Sequence, residues 1–269
     1  MTYTDEKHVL ILLSLLKAHD IKKFIISPGS NNIPISGSVQ SDSYFEVYSA
    51  VDERSAAYIA VGMAENSGEP VVLSCTGATA SRNYMPGLTE AYYRKLPVIA
   101  ITSFNGNENI GHLVAQNIDR TRIPNDVAII SVHLPVIRTK TDHWECNTLV
   151  NKALIESKRN GGGPVHINIS SLYTGQFNVK SLPNERVIHY LNRHSKIEGL
   201  GKKKIGIFVG SHRRFTDRET HAIKDFCETR NAVVFCDHTS SYKGEFRIQS
   251  ALVSSNTGSW SSKWKDLTP

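Results

Sequence analysis

The sequence predicts an α/β fold, a mainly parallel sheet flanked by helices, followed by the start of a second αβ unit. Three observations predict it. Short apolar runs alternate with segments of helical spacing through the first 170 residues. The alternation lapses over residues 171–198. It then resumes for about one further repeat within residues 199–269.

The elements follow in order. Thr4 to Ala18 reads as an amphipathic first helix; its apolar run is too short for a membrane span, and no basic leader or cleavage site accompanies it. "KFIIS" is a strand that opens into the turn "SPGSNNIP", and "YFEVYSAV" is the next strand. From Glu53 the apolar positions Ala56, Ala57, Ile59, Ala60, Met63 and Ala64 recur at helical spacing. Then come the strand "PVVLSCT", a helix over about Ala80 to Lys95 whose stripe with Tyr92 and Tyr93 is expected to be core, and the strand "PVIAITS". "VAIISVHLPVI", a helix near Asn147 to Lys158 and "GPVHINIS" complete the first domain, with "NGGGP" as a helix-to-strand turn. The second unit shows the strand and turn "KKIGIFVGSH", a helix Asp217 to Arg230 and the strand "AVVFCDH". Two strands cannot readily cover both faces of a sheet, so this domain reads as cut short.

Composition narrows the class. Over 269 residues, 40% hydrophobic and 21% charged content is that of an ordinary globular chain, and the mean hydropathy of −0.27 agrees. The net charge of +6 is carried by scattered Lys and Arg, with only short clusters such as Arg213-Arg214, so neither nucleic acid nor membrane is expected as a partner. Four cysteines without C-x-x-C spacing point to reduced thiols and a cytoplasmic location.

Candidate chemistry gathers where strands end. "SPGS" (Ser27 to Ser30), "DER" (Asp52 to Arg54) and "CTGATASRN" (Cys75 to Asn83) meet at one edge of the proposed sheet, where ligands sit in parallel α/β folds. Gly29 and Gly77 permit close backbone approach, but no phosphate-loop or dinucleotide fingerprint exists. Glu53 has two readings. It caps or charges a helix start, or, buried under a ligand, it shares a proton with a partner. Cys75 reads as a structural thiol, and His112, His133 and His143 lack ligand spacing, so no metal residues are expected in this chain.

Taken in order, "ISPGSNNIP", the long block from "AVDERSAAYIAVGMAENSG" to "LPVIAITS", "AQNID" and "GPVHINIS" resemble the pyrimidine-binding (PYR) domain of thiamine-diphosphate enzymes. The resemblance is strongest to the MenD family, the 2-succinyl-5-enolpyruvyl-6-hydroxy-3-cyclohexene-1-carboxylate synthases of the menaquinone pathway. It implies a three-layer, parallel-sheet PYR domain over 1–170, a linker over 171–198 and an incomplete Rossmann-like middle domain over 199–269. It also implies that Glu53 hydrogen-bonds N1′ of the cofactor's aminopyrimidine and so promotes deprotonation of the thiazolium carbon that attacks a 2-oxo acid. Pro28, Gly29, Thr76, Gly77 and Asn83 are implied to bind the cofactor, and Ser30, Asn31, Asn105 and Gln116 to face the substrate. The cofactors implied are thiamine diphosphate and Mg²⁺, with a homodimer or homotetramer.

Two departures shape the expectation. The synthases usually carry arginines where Asn31 and Asn105 stand, and an amide cannot offer a charged bidentate fork. This implies a related decarboxylase or carboligase with a different 2-oxo acid, or charge supplied by Arg54, Arg82 or Arg120. The G-D-G and N-N residues that hold Mg²⁺ and diphosphate in the family are absent. The chain alone is therefore expected to be inactive, either as part of a longer enzyme or with the diphosphate-binding domain on a separate subunit. The alternative is a noncatalytic PYR-fold binding or regulatory subunit.

Overall fold

The computed structural model describes residues 1–120, 123–172, 175–192, 194–195 and 204–249, and the chain divides into two compact units, Met1–Tyr190 and Leu191–Pro269. The polar stretch expected after the second unit's strands, from 250 onward, lies outside the described residues.

In the first unit, six parallel strands run in the order β2-β1-β3-β4-β6-β5: β1 Lys23–Ile26, β2 Glu46–Ser49, β3 Val71–Cys75, β4 Val98–Phe104, β5 Ile130–Leu134 and β6 Val165–Ser170. β3, β4 and β6 are buried at every position, because helices cover both faces, and this is why they read as unbroken apolar runs. One face packs on α1 Lys7–Ala18 and α6 Lys140–Glu156 through Leu12, Leu16, Val150 and Leu154. The other packs on α3 Glu53–Ser67 and α5 Met85–Arg94 through Ala57, Ala60, Leu88 and Ala91. Small side chains let α3 and α5 approach closely: a Cβ on Gly87 would sit 2.6 Å from that of Ala57.

Three expectations need correction. The helix expected over Ala80 to Lys95 divides at Tyr84 into α4 Thr79–Asn83 and α5, where Pro86 supplies no backbone N–H to continue the first helix. Tyr93 on α5 is 70% exposed, with its hydroxyl bonded to Asp126 Oδ2 at 3.3 Å, so it is not core. α6 begins seven residues before Asn147, because Thr139 and Asp142 form a capping box there.

The segment after β6 joins the first unit in its described residues as far as Tyr190. Val179 pairs with Tyr3, and Ser14 Oγ donates to the Pro183 carbonyl at 2.7 Å. Two buried asparagines of α6 hold it: Asn147 donates to Glu185 Oε2 at 2.9 Å, and Asn151 accepts from the Ile188 amide at 2.8 Å.

Asp42 anchors the N-terminal strap and follows α2 Ile33–Gln40. Fully buried, it accepts from Tyr3 Oη at 2.7 Å, Lys17 Nζ at 2.8 Å and the Tyr44 amide at 3.0 Å. Burial opposes its ionisation, but the bonds from Lys17, Tyr3 and the Tyr44 amide outweigh burial and hold its carboxyl below the ordinary 3.8. A carboxylate depressed on folding stabilises the folded state fully above its unfolded pKa, and that stability is lost as pH falls through the folded value. Asp42→Asn is accordingly expected to melt at lower temperature than the parent chain at pH 7. The gap closes as pH drops below 3.8, which thermal melts at stepped pH measure.

The second unit is a separate three-stranded parallel sheet, β7 Ile205–Phe208, β8 Ala232–Cys236 and β9 Arg247–Gln249, with α7 Asp217–Arg230 beside it. Its helix bounds are those expected. The third strand was not expected from sequence; it has three residues and no alternating pattern, and exists by pairing with β8.

Candidate active site

The carboxyl ends of β1, β2, β3 and β4 carry the candidate residues, each held by a different local device. After β1, Asn32 pins the turn: its Oδ1 accepts from the Gly29 amide at 3.0 Å, and its Nδ2 donates to the Ser27 carbonyl at 3.1 Å and Ser74 Oγ at 3.2 Å. This fully buried side chain was missed from sequence, because an Asn beside Pro and Gly reads only as turn chemistry. Pro28 and Ser30 are exposed, whereas Asn31 is buried with its Oδ1 lacking a hydrogen-bond partner.

The second loop reaches the first. A Cβ on Gly29 would lie 2.8 Å from Thr76 Cβ, so only glycine lets these loops touch. One on Gly77 would lie 2.7 Å from the Gln116 carbonyl and 3.3 Å from that of Ser103, which brings the 103–117 loop against the same edge. Ala78, with φ 49° and ψ −126°, turns the chain from β3 into α4 in a conformation that L residues rarely adopt. Thr76 Oγ1 and Ser103 Oγ are buried without hydrogen-bond partners. Polar atoms left in that state are costly, and a ligand group at this edge would satisfy them.

Glu53 opens α3 after β2, but it does not cap the helix. Asp52 does: its Oδ1 accepts from the Arg54 amide at 3.1 Å, and its Oδ2 from Ser55 Oγ at 2.7 Å. The Ser55 hydroxyl and the Arg54 amide hold the Asp52 carboxyl below its ordinary range. Glu53 is half-buried, with Oε2 accepting from Asn83 Nδ2 of α4 at 3.3 Å. Behind it lie the fully buried Cys75 thiol, pushed up to about 12 by burial, and Tyr84, also raised by burial. A thiol so placed is no nucleophile at neutral pH.

The structure thus brings together Gly29 with Thr76, Gly77 with Gln116, and Glu53 with Asn83. Asn105 stands elsewhere, in the wall of a cleft of about 510 Å³ formed with Glu108, His133, Arg138 and Ser170. Of the arginines considered as substitutes, Arg54 is exposed, Arg82 donates to the Asp119 carbonyl at 2.8 Å, and Arg120 is buried against the Phe104 ring. No group of three or more His, Cys, Asp or Glu side chains among the described residues is arranged to hold a metal ion. No helix among them is long and apolar enough to cross a membrane.

Residues 8–123 match the family described as "Thiamine pyrophosphate enzyme, N-terminal TPP binding domain". The matched stretch is similar to that family and spans 116 of the 269 residues. Several curated relatives carry the name 2-succinyl-5-enolpyruvyl-6-hydroxy-3-cyclohexene-1-carboxylate synthase. That of Bacteroides thetaiotaomicron is 43% identical over 187 residues, covering 69% of this chain and 34% of the relative. That of Bacteroides fragilis is 40% identical over 187 residues, with the same shares. That of Porphyromonas gingivalis is 30% identical over 269 residues, covering 93% of this chain and 45% of the relative. The chain therefore spans between a third and a half of the length of these relatives.

The donor set can be weighed against the family's cofactor. A carboxylate at a helix start and the orphaned hydroxyls of Thr76 and Ser103, on loops that Gly29 and Gly77 let pack closely, fit the aminopyrimidine half of thiamine diphosphate. Among the described residues no cluster of His, Cys, Asp or Glu side chains fits Mg²⁺.

Proposed function

We propose that this chain is the aminopyrimidine-binding part of a thiamine-diphosphate-dependent carboligase or decarboxylase, related to the synthases named above and acting on a 2-oxo acid. The observation that carries the reading is the division of labour at α3. Asp52 satisfies the helix start, so the Glu53 carboxylate is left to accept from Asn83 of α4 at 3.3 Å.

Bound there, the cofactor supplies a thiazolium ring able to accept the electron pair released when a 2-oxo acid loses carbon dioxide. The work of this chain is to orient and to move one proton. Glu53, at the α3 N-terminus, would hold the ring nitrogen of the aminopyrimidine and pass one proton to or from it. Asn83 would orient the carboxyl through its 3.3 Å bond, while Gly29, Thr76 and Gly77 would help to hold the ring. Pro28 shapes the same turn, and Ser30, Asn31, Asn105 and Gln116 are assigned to the substrate side.

The substrate is the finer part of the proposal. Amides at Asn31 and Asn105 favour a 2-oxo acid other than the one handled by the named synthases, because neither offers a charged fork to a carboxylate. Mg²⁺ and the diphosphate would be held by a domain outside the described residues, in a homo-oligomer or with a separate subunit, and the free thiols suit a cytoplasmic setting.

The test is carbon dioxide release from a panel of 2-oxo acids by the complete enzyme loaded with thiamine diphosphate and Mg²⁺. Release from at least one acid is expected. Tight cofactor binding with no release from any of them would leave the noncatalytic PYR-fold subunit standing instead.

A further inference from the structure

Arg120 is the largest fully buried side chain among the described residues, at 2% exposure. All three guanidinium nitrogens are shielded from solvent and lack a hydrogen-bond partner. It lies over the face of Phe104, whose ring centroid is 4.6 Å from the guanidinium carbon. An aromatic face softens a cation but does not neutralise it. Burial lowers the guanidinium pKa to about 10, which leaves it charged at neutral pH.

Among the described residues the cavity wall supplies no counter-charge. Arg120 lines a cavity of about 20 Å³ with Arg82, Ser81, Tyr84, Thr102 and His166 among others, and no Asp or Glu is in its wall. Several of the polar groups in that wall are already engaged. Ser81 Oγ donates to the Ala78 carbonyl at 2.7 Å, and Arg82 to that of Asp119 at 2.8 Å. His166 is fixed between Ser131 Oγ and Thr102 Oγ1, each at 2.7 Å, and burial presses its pKa down to about 3, so it remains neutral. Thr102 also bonds Asn168 Oδ1 at 3.1 Å. Cys75, on the same face of the sheet, stays a thiol. A buried unpaired charge is unfavourable unless it finds a partner.

We propose that the cavity between α4, α5, β4 and β6 is an anion site, in which Arg120 and Arg82 hold one monatomic anion, chloride being the abundant one. Size sets the class. About 20 Å³ is a little more than the roughly 10–15 Å³ needed for one water-sized occupant, so a carboxylate-bearing metabolite or a phosphate does not fit. Charge separates chloride from water, since two guanidinium groups and no acid make the cavity electropositive. The site serves as structural ballast for the loop that carries Gln116, and it does not depend on the functional reading given above.

The test is a thermal melt of the full chain in sodium chloride against sodium gluconate at equal ionic strength. Gluconate is too large to enter. Chloride is expected to raise the melting temperature by on the order of 2–4 °C over gluconate, and Arg120→Met, which keeps length but not charge, is expected to abolish the difference. Equal melting in both salts, or a chloride effect that survives in Arg120→Met, overturns the proposal. Should the variant fail to fold, crystals of the parent chain grown in bromide decide. An anomalous peak beside the Arg120 guanidinium supports the site, and a cavity holding only water rejects it.

Discussion

Replacing Glu53 by glutamine is expected to lower turnover of the proposed complete enzyme by about a hundred- to ten-thousandfold, the usual contribution of a positioned proton-transfer group. Glutamine preserves the shape and still offers an oxygen to Asn83, whose Nδ2 lies 3.3 Å from the carboxylate. It cannot take or return a proton. The loss should therefore appear in kcat, with the KM for the 2-oxo acid changed little, since no ground-state substrate contact is assigned to this side chain. The neighbouring acid is the control. Asp52→Ala removes the cap that bonds the Arg54 amide and Ser55 hydroxyl, so the melting temperature falls while kcat stays within a few-fold of the parent. Steady-state kinetics on both variants separates the roles. Undiminished kcat in Glu53→Gln would remove the proton-transfer assignment and leave Glu53 as a charge at a helix start.

Adding one methyl group to Gly77 is expected to destabilise the first unit by about 1–3 kcal/mol, the ordinary cost of overpacking a tight site. The new Cβ would fall 2.7 Å from the Gln116 carbonyl and 3.3 Å from that of Ser103. Both are backbone atoms and cannot swing aside as a flexible side chain would. The strand-end loops must part, so the complete enzyme should also bind thiamine diphosphate less tightly. Gly62→Ala makes the contrast. It lies within α3 with nothing within 4 Å of its Cβ position, and alanine there should stabilise by about 0.5–1 kcal/mol. Denaturant titration of the two variants reads both signs. If Gly77→Ala is as stable as the parent chain, these loops are not packed as described.

Most of the scaffold is legible in local pattern. β3, β4 and β6 are covered on both faces, so each announces itself as an unbroken apolar run. α3 shows small apolar residues at helical spacing and ends at Gly68, whose φ of 67° suits glycine. Thr216 and Glu219 close a capping box that sets the start of α7. Glu53 and Asn83 were legible as candidates because ordered motifs stood around them. Other features had no local signal. β9 has three residues and no alternation, and Tyr93 sits on a helix with an apolar stripe yet points to Asp126.

The sequence by itself determined the α/β class, the glycine-bearing strand ends and the acid beside them, because periodicity and turn chemistry are properties of neighbouring residues. Tertiary structure alone decided that Glu53 meets Asn83, that Asn32 locks the first loop to Ser74, and that no acid among the described residues lines the cavity of the buried Arg120. It also decided the strand order, in which β6 lies between β4 and β5. The physical reason is distance along the chain. Hydrogen bonds and charge contacts between residues thirty or more positions apart depend on how strands are ordered and helices packed, and no local run of residues encodes that arrangement.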